Sequence, residues 1–193
     1  VSLMTPVVKT MFTDLGMEIT SEAMQIYGGY GYTKDQGIEQ LYRDNRITPI
    51  YEGTNSVQAA DLVFRKLVNK NGDIINKYLN MIKNDCNIED EKIKPFVEDL
   101  NVHMEILNNF TSWIKEKIQN SKDDASAACN DYLKALGFVS VAHAWLKVLE
   151  VSFKDYDNNK AFYEDKIQTA KFYFKRVLPR MENHFKTATT GSE

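Results

Sequence analysis

The stretch Ile26-Tyr27-Gly28-Gly29-Tyr30-Gly31-Tyr32 marks where the first helix of this chain ends. Glycine adopts the left-handed conformation at a helix C-terminus without steric cost, so Gly28 and Gly29 are expected to stop a helix that comes from upstream. That helix is predicted to begin at Thr5-Pro6, which offers a capping hydroxyl followed by proline at the first helical position. Between these points, apolar residues recur at helical spacing and form one apolar face: Val8, Met11, Phe12, Leu15, Ile19, Ala23 and Ile26.

Two shorter helices are predicted after the glycine-rich turn. The first covers about residues 35–44, and its buried side chains are expected to be Ile38, Leu41 and Tyr42. Pro49 then enforces an extended link, because the residue before a proline is pushed out of the helical region. Thr54 or Asn55 caps the next helix. The predicted buried face of that helix consists of Val57, Ala60, Phe64 and Leu67.

Beyond residue 72 the composition shifts towards Lys, Asn and Asp, and four amphipathic segments follow. Loops at 87–90, 121–124 and 155–159 are expected to separate them, Pro179 to kink or break the last one, and the tail 188–193 to fray. No segment shows the alternation typical of a strand, so an all-α fold of antiparallel helices is predicted. The apolar positions of the four segments begin at Ile74, Phe96, Leu133 and Phe162 and are interpreted as core.

The bulk composition excludes some classes of partner. The 193-residue chain has 43% hydrophobic residues and a net charge of −3. A nucleic-acid ligand is not expected, because neutralising phosphates needs a basic surface. No apolar run approaches the length of a membrane span, no strongly basic amphipathic face stands out, and membrane association is not expected.

The cysteines and histidines do not form a recognisable site in the sequence. Cys86 and Cys129 lie in no CxxC or Cys/His pattern and are predicted to be free thiols in a reducing compartment. His103, His143 and His184 are separated from one another and from carboxylate clusters, so each is interpreted as a packing or surface residue. No metal site is predicted.

Glu52 is the strongest candidate for chemistry. It lies in Ile50-Tyr51-Glu52-Gly53-Thr54, directly before a predicted helix start. The partial positive charge of a helix start stabilises a carboxylate, and unpaired amides there can bind an acceptor. A general base also needs a pocket that excludes water, for which Ile50 and Tyr51 are candidate walls. The alternative is an ordinary loop acid beside a helix cap.

Two further features have open interpretations. The glycine-rich turn is either a place where the backbone can come close to a flat or phosphorylated ligand, or a helix C-cap that runs into a turn. It is not the dinucleotide fingerprint GxGxxG, because it follows a helix and not a strand. Arg43, Asp44 and Arg46 either position an anionic ligand or tie helices together by ion pairs.

Taken together, the two motifs resemble the C-terminal helical region of the acyl-CoA dehydrogenases, which are flavoproteins. The matching segments are SEAMQIYGGYGY at 21–32, LYRD at 41–44 and IYEGTNSVQ at 50–58, and Glu52 follows Gln25 by 27 positions, as in the family pattern. The resemblance covers residues 5–70. The version with Asn55, continuing through QAADLVFRKL at 58–67, is similar to the methylmercaptopropionyl-CoA dehydrogenase-like subgroup, which carries an extra C-terminal helical domain. The resemblance thus implies an end of the family's helical domain at 1–70 and an extra antiparallel helical bundle at 71–193.

The resemblance implies α,β-dehydrogenation of an acyl-CoA thioester, as in fatty-acid β-oxidation. Glu52 would be the catalytic base that removes the α proton, and its backbone amide would hold the thioester carbonyl oxygen. Tyr51 and Gly53 would contact the substrate. The β hydrogen would leave as hydride to the cofactor FAD.

The same resemblance assigns the cofactor contacts. Gln25, Gly28 and Gly29 would bind FAD of a neighbouring subunit, whereas Thr54 and Ser56 would lie against FAD of their own subunit. Relatives often have Gln where this chain has Ser56, so the resemblance is weakest at this contact.

The implied partners are the acyl-CoA substrate, electron-transfer flavoprotein and further copies of the chain in a dimer or tetramer. The implied location is the bacterial cytoplasm or the mitochondrial matrix. The family fold also has an N-terminal helical domain and a central β domain, so this chain is interpreted as a C-terminal fragment that is inactive alone. Two alternatives are an acyl-CoA oxidase and a non-catalytic helical interaction module.

Overall fold

The computed structural model describes residues 1–68 and 73–192. All the regular structure in these residues is helical, and no strand occurs among them. This part of the chain contains eight α-helices: α1 (Met4–Ile26), α2 (Ile38–Asn45), α3 (Asn55–Asp61), α4 (Ile74–Asp85), α5 (Lys94–Asn120), α6 (Lys122–Lys154), α7 (Lys160–Phe172) and α8 (Arg180–Ala188). Short 3₁₀ helices cover Gly28–Tyr32, Lys34–Gln36 and Tyr156–Asn158, and π-helical turns cover Leu62–Lys66 and Tyr173–Val177. The predicted all-α class is confirmed.

Helix α6 is the centre of the molecule, and α1, α3, α5, α7 and α8 all pack against it. Only Ser121 separates α5 from α6, so these two long helices form a tight antiparallel hairpin. The buried cluster is continuous from Val7 and Met11 in α1, through α6, to Met181 in α8. The predicted domain boundary at residue 70 lies outside the described residues, which omit 69–72.

An aromatic cluster joins α5, α6 and α8. The Phe110 ring centroid lies 5.2 Å from that of Tyr132, edge to face, and 4.9 Å from that of Phe185. The Tyr132 hydroxyl is hydrogen-bonded to Thr111 Oγ1 at 2.9 Å, so this fully buried polar group is satisfied. Burial raises the pKa of Tyr132, which keeps the phenol neutral inside the core.

The predicted apolar face of α1 is only partly buried. Met11 is buried and Leu15 is half-buried, but Phe12 and Ile19 are each 64% exposed and Ile26 is 84% exposed. The buried residues of α1 are Pro6, Val7, Thr10 and Met11. The difference arises because only one side of α1 is covered within the described residues, by α2, α3 and α6. The predicted start at Thr5-Pro6 was also too late, since α1 begins at Met4 and Thr5 donates to the Val1 carbonyl instead of capping.

The predicted burial in the next two helices is confirmed at some positions and wrong at others. Leu41 and Tyr42 of α2 are exposed, Ile38 is half-buried, and α2 has no fully buried residue. In α3, Val57 is 57% exposed, and the π turn after it buries Leu62 and Val63. Leu67 is buried as predicted, whereas Ala60 and Phe64 are half-buried.

The later boundaries largely follow the predicted pattern. Pro179 does break the last segment, with α8 beginning at Arg180. The loop expected at 121–124 is reduced to Ser121, because Asp123 and Asp124 lie in the first turn of α6, where their charge favours a helix start. The tail is not simply frayed: the backbone and hydroxyl of Ser192 both donate to Asp124 Oδ1, at 3.1 and 2.9 Å.

Helix α6 corrects the expectation that no segment reaches the length of a membrane span. Its most apolar 18-residue window has a mean hydropathy of 1.3, enough by length and composition to cross a membrane. Half of that window is buried inside the protein, and the central helix of a bundle meets the same criterion.

Candidate functional site

Glu52 lies at the crest of a tight left-handed turn between α2 and α3. Its φ is 55° and that of Gly53 is 79°, so two consecutive residues are in the region that favours glycine. The turn is closed by a hydrogen bond from the Asn55 amide to the Pro49 carbonyl, at 3.1 Å. The chain reverses here and enters α3 at once.

Thr54 caps α3, as one of the two predicted candidates. Its side-chain oxygen accepts a hydrogen bond from the Val57 amide at 3.3 Å, which satisfies one of the unpaired amides of the helix start. The hydroxyl of Thr54 thus has a structural role in addition to any contact with a ligand.

The carbonyl groups and the amides of this turn have different environments. Gln58 Nε2 donates to the Glu52 carbonyl at 2.9 Å, and Lys9 Nζ donates to the Gly53 carbonyl at 3.0 Å. The amides of Glu52, Gly53 and Thr54 donate to no acceptor in the part of the chain that the structure describes. Amides without an acceptor can donate to a ligand that approaches the turn.

The side chains around Glu52 do not enclose it within the described residues. Tyr51 and Ile50, the predicted walls, are 50% and 45% exposed, and Glu52 and Gly53 are exposed as well. A pocket that excludes water from a general base needs further walls, which the described residues do not supply.

The second predicted group of residues lies together at the other end of α1. Here a groove of about 390 Å³ is lined by Ser21, Met24, Gln25, Gly28, Gly29 and Tyr32. Gly28 has a φ of 58°, and a side chain added at Gly29 would meet open space. Gly31 is different: a Cβ there would come within 2.6 Å of the Met24 carbonyl oxygen, so the turn can only fold back on α1 with glycine at this position.

The two predicted groups do not form one site within a single chain. The Glu52 turn contacts α1 near Lys9 and Thr13, whereas Gln25 lies three turns further along the helix. At 1.5 Å of rise per residue, Thr13 and Gln25 are separated by roughly 18 Å. Within one chain, the Glu52 turn and the groove at Gln25 are therefore two separate regions.

Ser56 has a hydrogen-bond partner on α6. Asn130 Nδ2 on α6 donates to Ser56 Oγ at 3.3 Å. The position at which this chain departs from the family pattern therefore connects α3 to α6.

Sequence reasoning missed a polar cluster that links α1 to the Glu52 turn. Asn55 Oδ1 accepts from Lys9 Nζ at 2.6 Å, and Asn55 Nδ2 donates to Asp14 Oδ1 at 2.6 Å and to Thr13 Oγ1 at 3.0 Å. The only sequence signal is that Lys9 and Thr13 are four residues apart and so lie on the same face of α1. Their partners lie more than forty residues away in the chain, beyond the reach of a local pattern.

Of the charged candidates, Arg43 makes an ion pair within its own helix. Arg43 Nη2 lies 3.4 Å from Glu39 Oε1, and both residues belong to α2, so this pair does not tie two helices together. Two of the histidines each contact a single carboxylate on another helix, which their spacing in the sequence does not indicate. His143 Nε2 lies 2.8 Å from Asp85 Oδ2, and His184 Nδ1 lies 2.7 Å from Asp131 Oδ1.

Those histidine contacts join helices and do not form a metal site. His143 connects α6 to α4, and its hydrogen bond holds the pKa of Asp85 below its usual value. Among the described residues, no group of three or more His, Cys, Asp or Glu is arranged to hold a metal ion. Cys86 and Cys129 are free, as predicted, and burial raises the pKa of Cys129 to about 11.

Comparison with known families matches almost the whole chain. The profile described as "Acyl-CoA dehydrogenase, C-terminal domain" matches residues 2–67, and the profile described as "Acetyl-CoA dehydrogenase C-terminal like" matches residues 78–193, more than half of the chain.

Individual relatives agree with this result. A 3-methylmercaptopropionyl-CoA dehydrogenase of Ruegeria pomeroyi is 43% identical over 77 residues, which are 40% of this chain and 13% of that protein. A butyryl-CoA dehydrogenase of Syntrophomonas wolfei is 27% identical over 207 aligned residues, covering 97% of this chain and 32% of the relative. This chain therefore spans less than a third of the length of these two relatives.

The fold also has a counterpart among solved structures. An acyl-CoA dehydrogenase from Bacillus anthracis, complexed with FAD, superposes with a TM-score of 0.76 and 18% sequence identity. The match covers 99% of this chain and 33% of that one. Since both parts of the chain match family profiles and the whole chain shares this fold, the chain belongs to the acyl-CoA dehydrogenase family.

Proposed function

We propose that this chain is the C-terminal part of an FAD-dependent acyl-CoA dehydrogenase that introduces an α,β double bond into acyl-CoA thioesters. Glu52 is the catalytic base in this proposal. The observation that carries it is the left-handed turn, which places the carboxylate of Glu52 beside backbone amides that have no acceptor within the described residues. Such a turn suits a reaction in which a proton leaves one atom while charge develops on its neighbour.

In this proposal the side chain and the backbone of Glu52 act on adjacent substrate atoms. The carboxylate takes the α proton, and the amide of Glu52 donates to the thioester oxygen as negative charge grows there. Tyr51 and Gly53 contact the same substrate from either side of the base. The carbonyls of Glu52 and Gly53 are held by Gln58 and Lys9, which restrains the two peptide planes that follow the Glu52 Cα.

The residues assigned to FAD fit a flat, phosphorylated ligand. The groove at Gln25, Gly28 and Gly29 has room beside a glycine whose Cβ position is open. In this proposal it receives FAD of a neighbouring subunit, whereas Thr54 and Ser56 face FAD of their own subunit. The distance of three helical turns between the two groups favours two separate cofactors. FAD, when bound, supplies the acceptor for the β hydrogen.

The rest of the enzyme would complete the pocket. Glu52 is exposed here, and this chain spans only 32% of a relative that it matches along nearly its whole length. We therefore propose that the isolated chain is inactive. The partners proposed for the whole protein are acyl-CoA, electron-transfer flavoprotein and further copies in a homo-oligomer, in the bacterial cytoplasm or the mitochondrial matrix.

Anaerobic bleaching of the flavin in the full-length protein tests this function. Acyl-CoAs of graded chain length are added to the wild type and to a Glu52→Gln variant. We expect some thioesters to bleach the wild-type flavin and none to bleach that of the variant. A flavin that stays oxidised with every thioester, or equal bleaching in both proteins, would contradict the proposal.

A second candidate function has its own observation. Phe12, Ile19 and Ile26 of α1 are highly exposed, as a surface that packs against another protein would be. If the full-length protein binds no flavin but assembles through this surface, it is a non-catalytic interaction module. Oxygen consumption without another electron acceptor would instead indicate an acyl-CoA oxidase.

A further inference from the structure

Helix α1 holds the Glu52 turn at two points. Lys9 Nζ donates to the Gly53 carbonyl at 3.0 Å and to Asn55 Oδ1 at 2.6 Å. One ammonium group therefore bridges the residue after Glu52 and the first residue of α3. Lys9 is half-buried, and an ammonium with limited access to water depends more strongly on such acceptors.

Asn55 can play this part in only one orientation of its amide. Its oxygen faces the cation of Lys9, and its nitrogen faces the carboxylate of Asp14, at 2.6 Å on each side. Rotating the amide by 180° would set the NH₂ group against the ammonium and the oxygen against the carboxylate. The two charges on α1 thus fix the orientation of Asn55, and Asn55 in turn fixes the start of α3.

Helix α6 also contacts this arrangement, through Asp14. Lys134 Nζ on α6 lies 3.6 Å from Asp14 Oδ2, on the far side of the carboxylate from Asn55. Both side chains are 38% exposed, so this pair adds little by itself. The main restraint on the turn comes from α1.

The restraint acts on a turn that is conformationally unfavourable. Glu52 has a positive φ, which costs a residue with a side chain free energy relative to glycine. Such a conformation persists where its surroundings hold it. Hydrogen bonds to two consecutive carbonyls hold the peptide planes on both sides of Gly53, and with them the direction of the Glu52 side chain.

We propose that Lys9 and Asn55 are positioning residues that hold the Glu52–Gly53 turn in the geometry for α-proton removal, with Asp14 setting the orientation of Asn55. This inference rests on the proposed function of Glu52. It assigns to α1 a role in the rate of proton transfer and not in substrate affinity.

The test compares full-length variants by the rate constant of anaerobic flavin reduction at saturating acyl-CoA. Lys9→Met keeps the aliphatic stem and removes the ammonium. We expect it to slow reduction roughly tenfold or more, because small displacements of a catalytic group have effects of this size. The acyl-CoA concentration at half-saturation should change little. Reduction of α-deuterated substrate should show a larger isotope effect than in wild type, since proton removal becomes more rate-limiting.

A reciprocal exchange tests the orientation of Asn55. Asn55→Asp sets two carboxylates against each other at Asp14, and we expect it to slow reduction as Lys9→Met does. Adding Asp14→Asn restores an amide–carboxylate pair with donor and acceptor exchanged, and Lys9 keeps an anionic acceptor. The double variant should recover most of the rate that Asn55→Asp loses.

Lys66→Met is the matched control. Lys66 Nζ also donates to a backbone carbonyl near the start of α1, that of Ser2, but it does not contact the Glu52 turn. The proposal is overturned if Lys9→Met and Lys66→Met reduce flavin at the same rate, or if the double variant is no faster than Asn55→Asp. Glu52→Gln separates the two proposals: a wild-type rate in that variant contradicts the proposed function itself.

Discussion

At the scale of single residues, Glu52 has an energetically unfavourable backbone conformation. Its φ of 55° is the one positive value among the non-glycine residues that the structure describes. A left-handed conformation costs an L-residue roughly 1–2 kcal/mol, whereas glycine adopts it freely. Strain of this kind is common at functional sites, where the surroundings over-determine the backbone.

We therefore expect Glu52→Gly to stabilise the isolated chain while removing the base. The relief of left-handed strain is offset in part by the greater freedom of glycine in the unfolded chain, which leaves a gain of about 0.5–1 kcal/mol. Urea unfolding measures this difference. Glu52→Gln keeps the strain and should have the stability of the wild type. A glycine variant less stable than wild type would show that the Glu52 side chain stabilises the fold.

The charge state of Asp124 should affect the stability of the fold at acid pH. Hydrogen bonds from Lys117, and then from Ser192, lower its pKa from 3.8 to about 2. Because the folded state prefers the ionised carboxylate, its stabilising effect is complete above pH 4 and is lost as pH falls through 2.

Asp124→Asn should therefore lower the Tm at pH 5 to 7 and lose that effect towards pH 2. Thermal unfolding of the wild type and the variant across this range gives the two curves, which should converge at the acid end. Asp123→Asn, at an exposed neighbour in the same helical turn, controls for the loss of one negative charge at the start of α6. If the difference in Tm grows as pH falls, the assigned role of Asp124 is wrong.

At the scale of helices, contact between α1 and α6 depends on a glycine. A Cβ added at Gly137 of α6 would overlap the side chain of Met11 from α1, and both residues are buried. Gly137 therefore lets α1 approach the central helix closely.

Gly137→Ala should destabilise the chain in spite of the better helix propensity of alanine. Propensity favours the variant by about 1 kcal/mol, but overpacking a close contact typically costs 1–3 kcal/mol, so we expect a small net loss of up to about 2 kcal/mol. Gly29→Ala, where the added methyl meets open space, is the control and should change stability little. Chemical denaturation of both variants measures the difference, and equal stabilities would mean that Met11 repacks without cost.

The helices show which parts of the fold could be predicted from the sequence. The existence and order of α4 to α8 follow from periodic apolar residues such as Ile75, Leu79 and Ile82, all of which lie in the buried core. Periodicity alone could not predict which faces of α1 and α2 are buried within the described residues. An apolar face indicates a packing partner but does not identify that partner. Phe12 and Leu41 are both exposed within the described residues.

The candidate site divides in the same way. Glu52, Gly53 and Thr54 could be identified because their roles are local: a turn, a positive φ and a helix cap. Their chemical roles came from family resemblance and remain predictions. The link from Lys9 to Asn55 joins residues 46 positions apart, and it depends on how α1 packs beside the turn. No short-range pattern contains that information.

At the scale of the whole molecule, α1 carries an apolar seam that no other described residue covers. Phe12, Ile19 and Ile26 are separated by seven residues each, which is close to two helical turns, so they lie along one line of the helix. Their exposed fractions run from 64% to 84%. A seam with this spacing fits a neighbouring helix, and the chain spans only about a third of the solved structure that shares its fold.

The isolated chain should therefore self-associate through this seam. Burying three large apolar side chains on each copy removes enough apolar surface to favour association, at roughly 25 cal/mol per Å². Sedimentation velocity over a range of micromolar concentrations should show a mass that rises with concentration. Ile19→Glu combined with Ile26→Glu places charges in the seam and should leave a monomer. Val102→Glu is the control, because Val102 is a similarly exposed apolar residue on α5, away from the seam, and this variant should associate like the wild type. A wild-type chain that stays monomeric throughout would mean that the seam is too narrow to hold a second copy, and that in the full-length protein it needs a wider surface than one helix.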